Sequence, residues 1–235
     1  PLLVYLHGGG WVQGSTRMYD PLCTHLAAEL DAVVVSVDYR MAPEHRAPTA
    51  SHDAIDVVRW LHEHADHGVD RDRIGLCGDS AGGNLSAIVA QELRDLRTES
   101  KEPVIRHQAL IYPATDLTMA SPSIREHSEG AILTEAKIIA FRAHYIGEAD
   151  DAVAYADPIV SPLFGDASGV APALVQTADL DPIREPHASE PGREGANYMR
   201  GQKAMRPVGP NSGAYSEGGR NPGDVWNIAT QPFPG

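Results

Sequence analysis

One serine stands among small residues at Gly78-Asp79-Ser80-Ala81-Gly82, directly after the apolar run Ile74-Gly75-Leu76-Cys77. The spacing G-x-S-x-G suits a nucleophile elbow, in which a sharp strand-to-helix turn holds the serine in strained backbone geometry with its hydroxyl exposed. Residues two positions away on either side must be small, because strand and helix nearly touch there. Ser80 would open the helix starting near Ala81, where free N–H groups and the helix dipole favour a developing anion. Such an arrangement permits attack on a carbonyl carbon through a covalent intermediate. A chance Gly/Ser turn is the plain alternative. The buried run before the motif and the amphipathic pattern after it favour the elbow.

A second cluster, His7-Gly8-Gly9-Gly10 with Trp11 and Gly14 just beyond, follows the first apolar run. Glycines there let backbone N–H groups reach a substrate oxygen unobstructed. The N–H groups of Gly8, Gly9 and Ala81 are therefore expected to form an oxyanion hole, in which one donor is typically worth about 2.7–4 kcal/mol. His7 and Gly10 are expected to shape the loop rather than move protons, and Asp79 to help hold the elbow. Without a substrate to meet, the glycine run would be an ordinary tight turn.

The elements that must position these groups alternate up to about residue 185. Short apolar runs at Leu2–Leu6, 32–37, 74–77, 108–111 and 173–177 fit strands buried on both faces. Ala54, Val57, Val58 and Leu61 follow helical spacing, as do Leu85, Ile88, Val89, Leu93 and Leu96. Strands alternating with such helices predict an α/β fold, a mostly parallel sheet with helices on both faces. Residues 115–165 form a polar interlude too long for a plain connection. It carries one predicted helix over 134–145, capped by Thr134, and is expected to build structure over one end of the sheet.

A net charge of −13 argues against nucleic acid or an anionic membrane as a partner, since either would require a basic face. There is no apolar run near 18 residues, hence no predicted membrane span. Cys23 and Cys77 make no disulfide framework and read as buried free thiols. His62, His64 and His67 lie on and beyond the polar side of a helix with no partner cysteines, so no metal site is expected. Arg40 and Glu44 read as internal hydrogen-bonding groups of their loop. The chain opens in mid-strand, so further residues are expected upstream. No signal peptide is visible, and a cytoplasmic location is the expectation.

Three stretches in order, His7-Gly8-Gly9-Gly10, Asp38-Tyr39-Arg40-Met41-Ala42-Pro43-Glu44-His45 and Gly78-Asp79-Ser80-Ala81-Gly82-Gly83-Asn84, resemble the bacterial hormone-sensitive-lipase-like esterases. These are α/β-hydrolases of the GDSAG type. Tyr112-Pro113, Ser121-Pro122-Ser123, Ser161-Pro162-Leu163 and Asp181-Pro182-Ile183-Arg184 extend the resemblance over residues 1 to 185. It implies hydrolysis of small carboxylic esters by a serine acyl-enzyme, with no cofactor. It also assigns the triad carboxylate to Asp181, in preference to its neighbour Asp179. The family's N-terminal cap and first strands are missing here. The strand at 32–37, which normally pairs with those strands, is therefore expected to lie at an open edge and to promote self-association.

The resemblance also implies a catalytic histidine about thirty residues past the acid, and none is there. His187 follows Asp181 too closely to allow the intervening strand and helix. From Pro186 onward the chain has no leucine, against seventeen in the first 185 residues, but nine glycines and seven prolines. This tail, 186–235, is expected to be disordered, the fold's last strand and helix lost with it. A shift of reading frame near Arg184–Glu185 and a genuinely divergent tail both account for the break. Three functions stay open: ester hydrolysis by a partial and weakly active chain, amide hydrolysis by the same groups, and non-catalytic binding of a small molecule.

Overall fold

The computed structural model describes residues 1–64, 68–130, 132–147, 155–178 and 181–183, together with the backbone of 225–229. Six strands form one sheet in the order β5-β4-β3-β1-β2-β6, every neighbouring pair parallel. The strands are β1 (Leu2–Leu6), β2 (Val33–Asp38), β3 (Ile74–Asp79), β4 (Ile105–Ile111), β5 (Ala173–Gln176) and β6 (Val225–Ala229). Between them run α1 (Thr16–Leu30), α2 (Thr49–His64), α3 (Ala81–Glu92), α4 (Pro122–Glu126) and α5 (Glu135–Ile146).

Strand alternation sorts the core into two layers. Leu2, Val4 and Leu6 of β1, with Val35 and Val37 of β2 and Ile74 and Leu76 of β3, pack against α2 and α3. Tyr5, Val34 and Cys77 point the other way and pack against Cys23 and Ala27 of α1. Ala54, Val57, Val58 and Leu61 of α2 are all buried, as their helical period requires. Both cysteines are buried and free.

Helix α1 has no counterpart among the sequence-based expectations. It buries only Thr16, Cys23 and Ala27 and carries Pro21 inside, so its apolar stripe is too thin to announce itself. The polar interlude holds α4 as well as α5. Thr134 caps α5 by accepting a hydrogen bond from the Lys137 N–H.

Two expectations about the sheet's margins need correction. The edge at β2 is not open: β6 pairs with it from Val34↔Val225 to Asp38↔Ala229. The row of N–H and C=O groups along β2 takes up a strand from the tail, so association through that edge loses its premise. Five residues of the tail thus form a strand, at the opposite margin from β5; the other residues of 184–235 lie outside those described. At the β5 margin Leu174 and Val175 are exposed. Among the described residues, no helix is long and apolar enough to cross a membrane.

Candidate active site

Ser80 is the single residue between β3 and α3, at φ 53° and ψ −115°. Positive φ is costly for any residue with a Cβ, and the surroundings impose it. The Ser80 N–H donates to Ile111 O at 2.8 Å, while Ser80 O accepts from the Asn84 N–H at 3.0 Å. Close approach does the rest. A Cβ on Gly82 would lie 1.8 Å from Leu6 O, and one on Gly78 would lie 2.3 Å from Gly82 O. Asn84, fully buried one turn into α3, donates through its side-chain amide to Ala114 O at 2.7 Å and Val160 O at 2.8 Å. The helix behind the serine is thereby fastened to the chain leaving β4.

The loop opposite is built around His7, which is wholly buried. Its Nδ1 lies 2.8 Å from Gly8 O, so that nitrogen carries the proton and donates. Tyr39 stacks on the ring at 4.4 Å and donates its hydroxyl to His7 O at 2.7 Å. Desolvation lowers the His7 pKa, only partly offset by the hydrogen bond to Gly8 and the charges of Asp38 and Asp79. A neutral, enclosed imidazole suits the loop-shaping role. Gly10, at φ 61°, lies against the Phe141 ring of α5, and Trp11 stacks on Tyr145 at 4.5 Å.

One expected oxyanion donor is otherwise engaged. The Gly8 N–H donates to Asp79 Oδ1 at 2.9 Å, so it does not face the serine. A motif reading treats every glycine N–H as free; here a buried carboxylate takes the first one. The N–H groups of Gly9, Gly10 and Ala81 have no acceptor among the described residues. Asp79 also accepts from the Tyr5 hydroxyl at 2.8 Å and the Tyr19 hydroxyl at 3.0 Å. It therefore holds the loop as well as the elbow.

Ser80 opens into a cleft. Gly10 and Trp11 form one wall, and Leu117, Ile124, Leu133, Ile138 and Phe141 from the interlude form most of the rest. Polar groups are few: Thr115, Asp116 and Ser121 beside Ser80. Ile183 closes the lining from the segment that carries Asp181. Asp181 accepts the Ile183 N–H at 3.0 Å, and Ser123 donates to Pro182 O at 2.7 Å, which fixes this segment against α4. Asp181 does not itself line the cleft. Burial raises the Tyr112 pKa, and the charges of Asp79 and then Asp181 raise it further.

The fold thus brings Ser80 and Gly10 onto one cleft, with Ala81 and Gly9 next to them in the chain and Asp79 bound to the Gly8 N–H. No histidine lines the cleft among the described residues. His187 lies outside those described, as does Asp179. Arg40 is held internally, its guanidinium and N–H all directed at Asp53. Nor do any His, Cys, Asp and Glu side chains group as a metal site among the described residues. Tyr5 and Tyr19 lie outside every motif quoted, and Tyr39 and Asn84 lie within motifs that gave them no role. For Tyr5 a signal existed: with β1 and β3 parallel, it faces the same side of the sheet as Cys77 and Asp79.

Comparison with known proteins agrees with this geometry. A family model described as the alpha/beta hydrolase fold matches residues 3–189. The carboxylic ester hydrolase LipN of Mycobacterium tuberculosis is 42% identical over 212 residues, which cover 89% of this chain and 53% of that protein. The ethyl acetate hydrolase of Pseudomonas putida is 42% identical over 185 residues, covering 78% and 56%. An esterase from Pyrobaculum calidifontis superposes with a TM-score of 0.71 at 45% identity, over 78% of this chain and 59% of that one. The chain spans about half the length of the curated relatives it matches.

Proposed function

This chain belongs to the hormone-sensitive-lipase-like esterases of the alpha/beta hydrolase fold, and we propose that it carries the nucleophilic half of a serine carboxylesterase site acting on small carboxylic esters. In this reading Ser80 Oγ attacks the ester carbonyl carbon. The carbonyl oxygen takes up the electron pair and is held by the N–H groups of Gly9 and Ala81, at the positive end of α3. Collapse of the tetrahedral intermediate expels the alcohol, which takes the serine's proton, and leaves an acyl group on Ser80. Water then releases the acid. The observation that carries the proposal is the strained Ser80, set between Gly78 and Gly82 and opening into an apolar cleft beside unengaged N–H groups.

Asp181 is the acid of the proposed triad, supported by its hydrogen bond to the N–H of the cleft's Ile183. The general base is not among the described residues of the cleft. Loss of a triad histidine typically lowers turnover about a millionfold, leaving roughly 10³–10⁴ over water from binding and the oxyanion hole. Slow turnover is therefore part of the proposal. The buried free cysteines support a cytoplasmic location.

One observation favours a second reading. An intact apolar cleft with no histidine in its described lining is what a non-catalytic small-molecule-binding protein would present. Hydrolysis of 4-nitrophenyl acetate and of the matching anilide, by the parent chain and Ser80→Ala, decides among the three. Ester turnover above the Ser80→Ala background supports the esterase; a faster anilide would indicate an amidase. No turnover in either protein, with equal affinity for 4-nitrophenyl butyrate, would establish the binding reading instead.

A further inference from the structure

We infer that Tyr19, on α1, is a positioning residue for the oxyanion loop: its hydroxyl fixes the Asp79 carboxylate, which in turn fixes the Gly8 peptide and so aims the N–H of Gly9. The inference rests on the esterase reading of Ser80.

Asp79 is the last residue of β3 and the immediate neighbour of Ser80, so its carboxylate sits on the nucleophile's own backbone. Its two oxygens have different duties. Oδ1 accepts from the Tyr5 hydroxyl at 2.8 Å and the Gly8 N–H at 2.9 Å, whereas Oδ2 accepts from the Tyr19 hydroxyl at 3.0 Å. With Oδ1 alone engaged, the carboxylate could swing about its Cβ–Cγ bond and carry Gly8 with it. Tyr19 on the opposite oxygen removes that freedom. The loop lies hard against this group, since a Cβ on Gly8 would stand 2.2 Å from Oδ2.

Tyr19 is the hub's one member from a helix, and α1 begins directly after the loop. The hydroxyl therefore returns the chain to the carboxylate that Gly8 already binds, closing residues 8–19 onto one acceptor. Within that circuit the Val12 and Gln13 N–H groups both donate to Gly9 O, which tightens the turn at the glycine whose N–H is proposed to face the substrate. The Tyr19 ring also stacks on His7 at 5.6 Å, and Tyr39 stacks on the same imidazole. Burial and the adjoining Asp79 raise the Tyr19 pKa, so the phenol keeps its proton and remains a donor at any working pH.

Tyr19→Phe deletes the hydroxyl and keeps the ring on His7. The test is the labelling of Ser80 by a 4-nitrophenyl alkylphosphonate: Ser80 Oγ bonds to phosphorus, 4-nitrophenolate leaves, the serine's proton passes to water, and the phosphoryl oxygen occupies the oxyanion position. The first-order labelling constant reports the oxyanion donors, and the half-saturating concentration reports the cleft. We expect Tyr19→Phe to lower the former about tenfold, the scale of one hydrogen bond to a charged group, and to leave the latter within about twofold. An unchanged labelling constant would overturn the inference. So would a parallel worsening of both quantities with a lowered melting temperature, which would make Tyr19 a packing residue. Equal nitrophenolate release by Ser80→Ala would instead refute the esterase reading itself.

Discussion

Gly82→Ala is the most stringent perturbation of the elbow. Its Cβ would lie 1.8 Å from Leu6 O and 2.5 Å from Leu6 C, both backbone atoms of β1 in the middle of the sheet. No rotamer change relieves such a contact, so α3 must retreat by roughly 1.5 Å to restore ordinary van der Waals separation. Overpacking of a tight core typically costs about 1–3 kcal/mol, and a backbone-to-backbone clash belongs at or above the top of that range. Retreat of α3 also carries the Ala81 N–H away from Ser80, and a misplacement near 1 Å costs about a hundredfold in rate. Gly75→Ala, on β3, is the internal control: its closest contact would be the end of the flexible Leu3 side chain, at 3.2 Å. Urea unfolding of the two variants should therefore separate them by about 3 kcal/mol, with acylation of Ser80 lost in Gly82→Ala and kept in Gly75→Ala. Equal midpoints and equal acylation would refute the claim that close strand–helix approach builds the elbow.

Asn84→Ala leaves the Ala114 and Val160 carbonyls without their buried donor and opens a cavity behind the serine; thermal unfolding should show a loss of about 3 kcal/mol. His7 is held neutral by burial, below its ordinary pKa, whereas the unfolded chain takes up a proton there at about pH 6.5. The unfolded state thus binds more protons below that pH, so the stability tied to neutral His7 is full above it and is lost as the pH falls. Urea midpoints between pH 7.5 and 5 should decline, and His7→Asn should flatten the decline. Cys77 is pushed up to about 12 by burial and then by the charge of Asp79, and burial raises Cys23 as well. A thiol reagent at pH 8 should label neither until denaturant is added.

Much of this architecture was legible in the residues. Strands β1, β2 and β3 announced themselves because a strand covered on both faces is apolar throughout, and α2 because its buried positions keep helical period. Strand β5, expected to be buried on both faces, is exposed at all four residues, and α3 is buried from Ala81 to Ala90. The elbow was legible because Gly78 and Gly82 flank a lone serine where an apolar strand must give way at once to a helix. What escaped depends on pairings that no local pattern encodes. The engagement of the Gly8 N–H is set by a carboxylate 71 positions away, and only the parallel register of β1 and β3 brings them together. Helix α1 exposes most of its surface, so periodicity is silent about it while Tyr19 reaches Asp79 from it. The β2–β6 pairing is likewise a long-range match of backbone groups. Its segment sits in a Gly- and Pro-rich stretch whose composition argues against strand.

The central claim is that Ser80 is a nucleophile held in a strained turn, and acetyl transfer tests it most directly. The chain would be mixed with 4-nitrophenyl acetate, quenched in acid, digested and examined by peptide mass spectrometry. With no histidine in the described lining to activate water, deacylation should lag and one acetyl group per chain should accumulate on the peptide bearing Ser80, absent from Ser80→Ala. Acetyl groups found only on lysines, or at equal level in Ser80→Ala, would contradict the account.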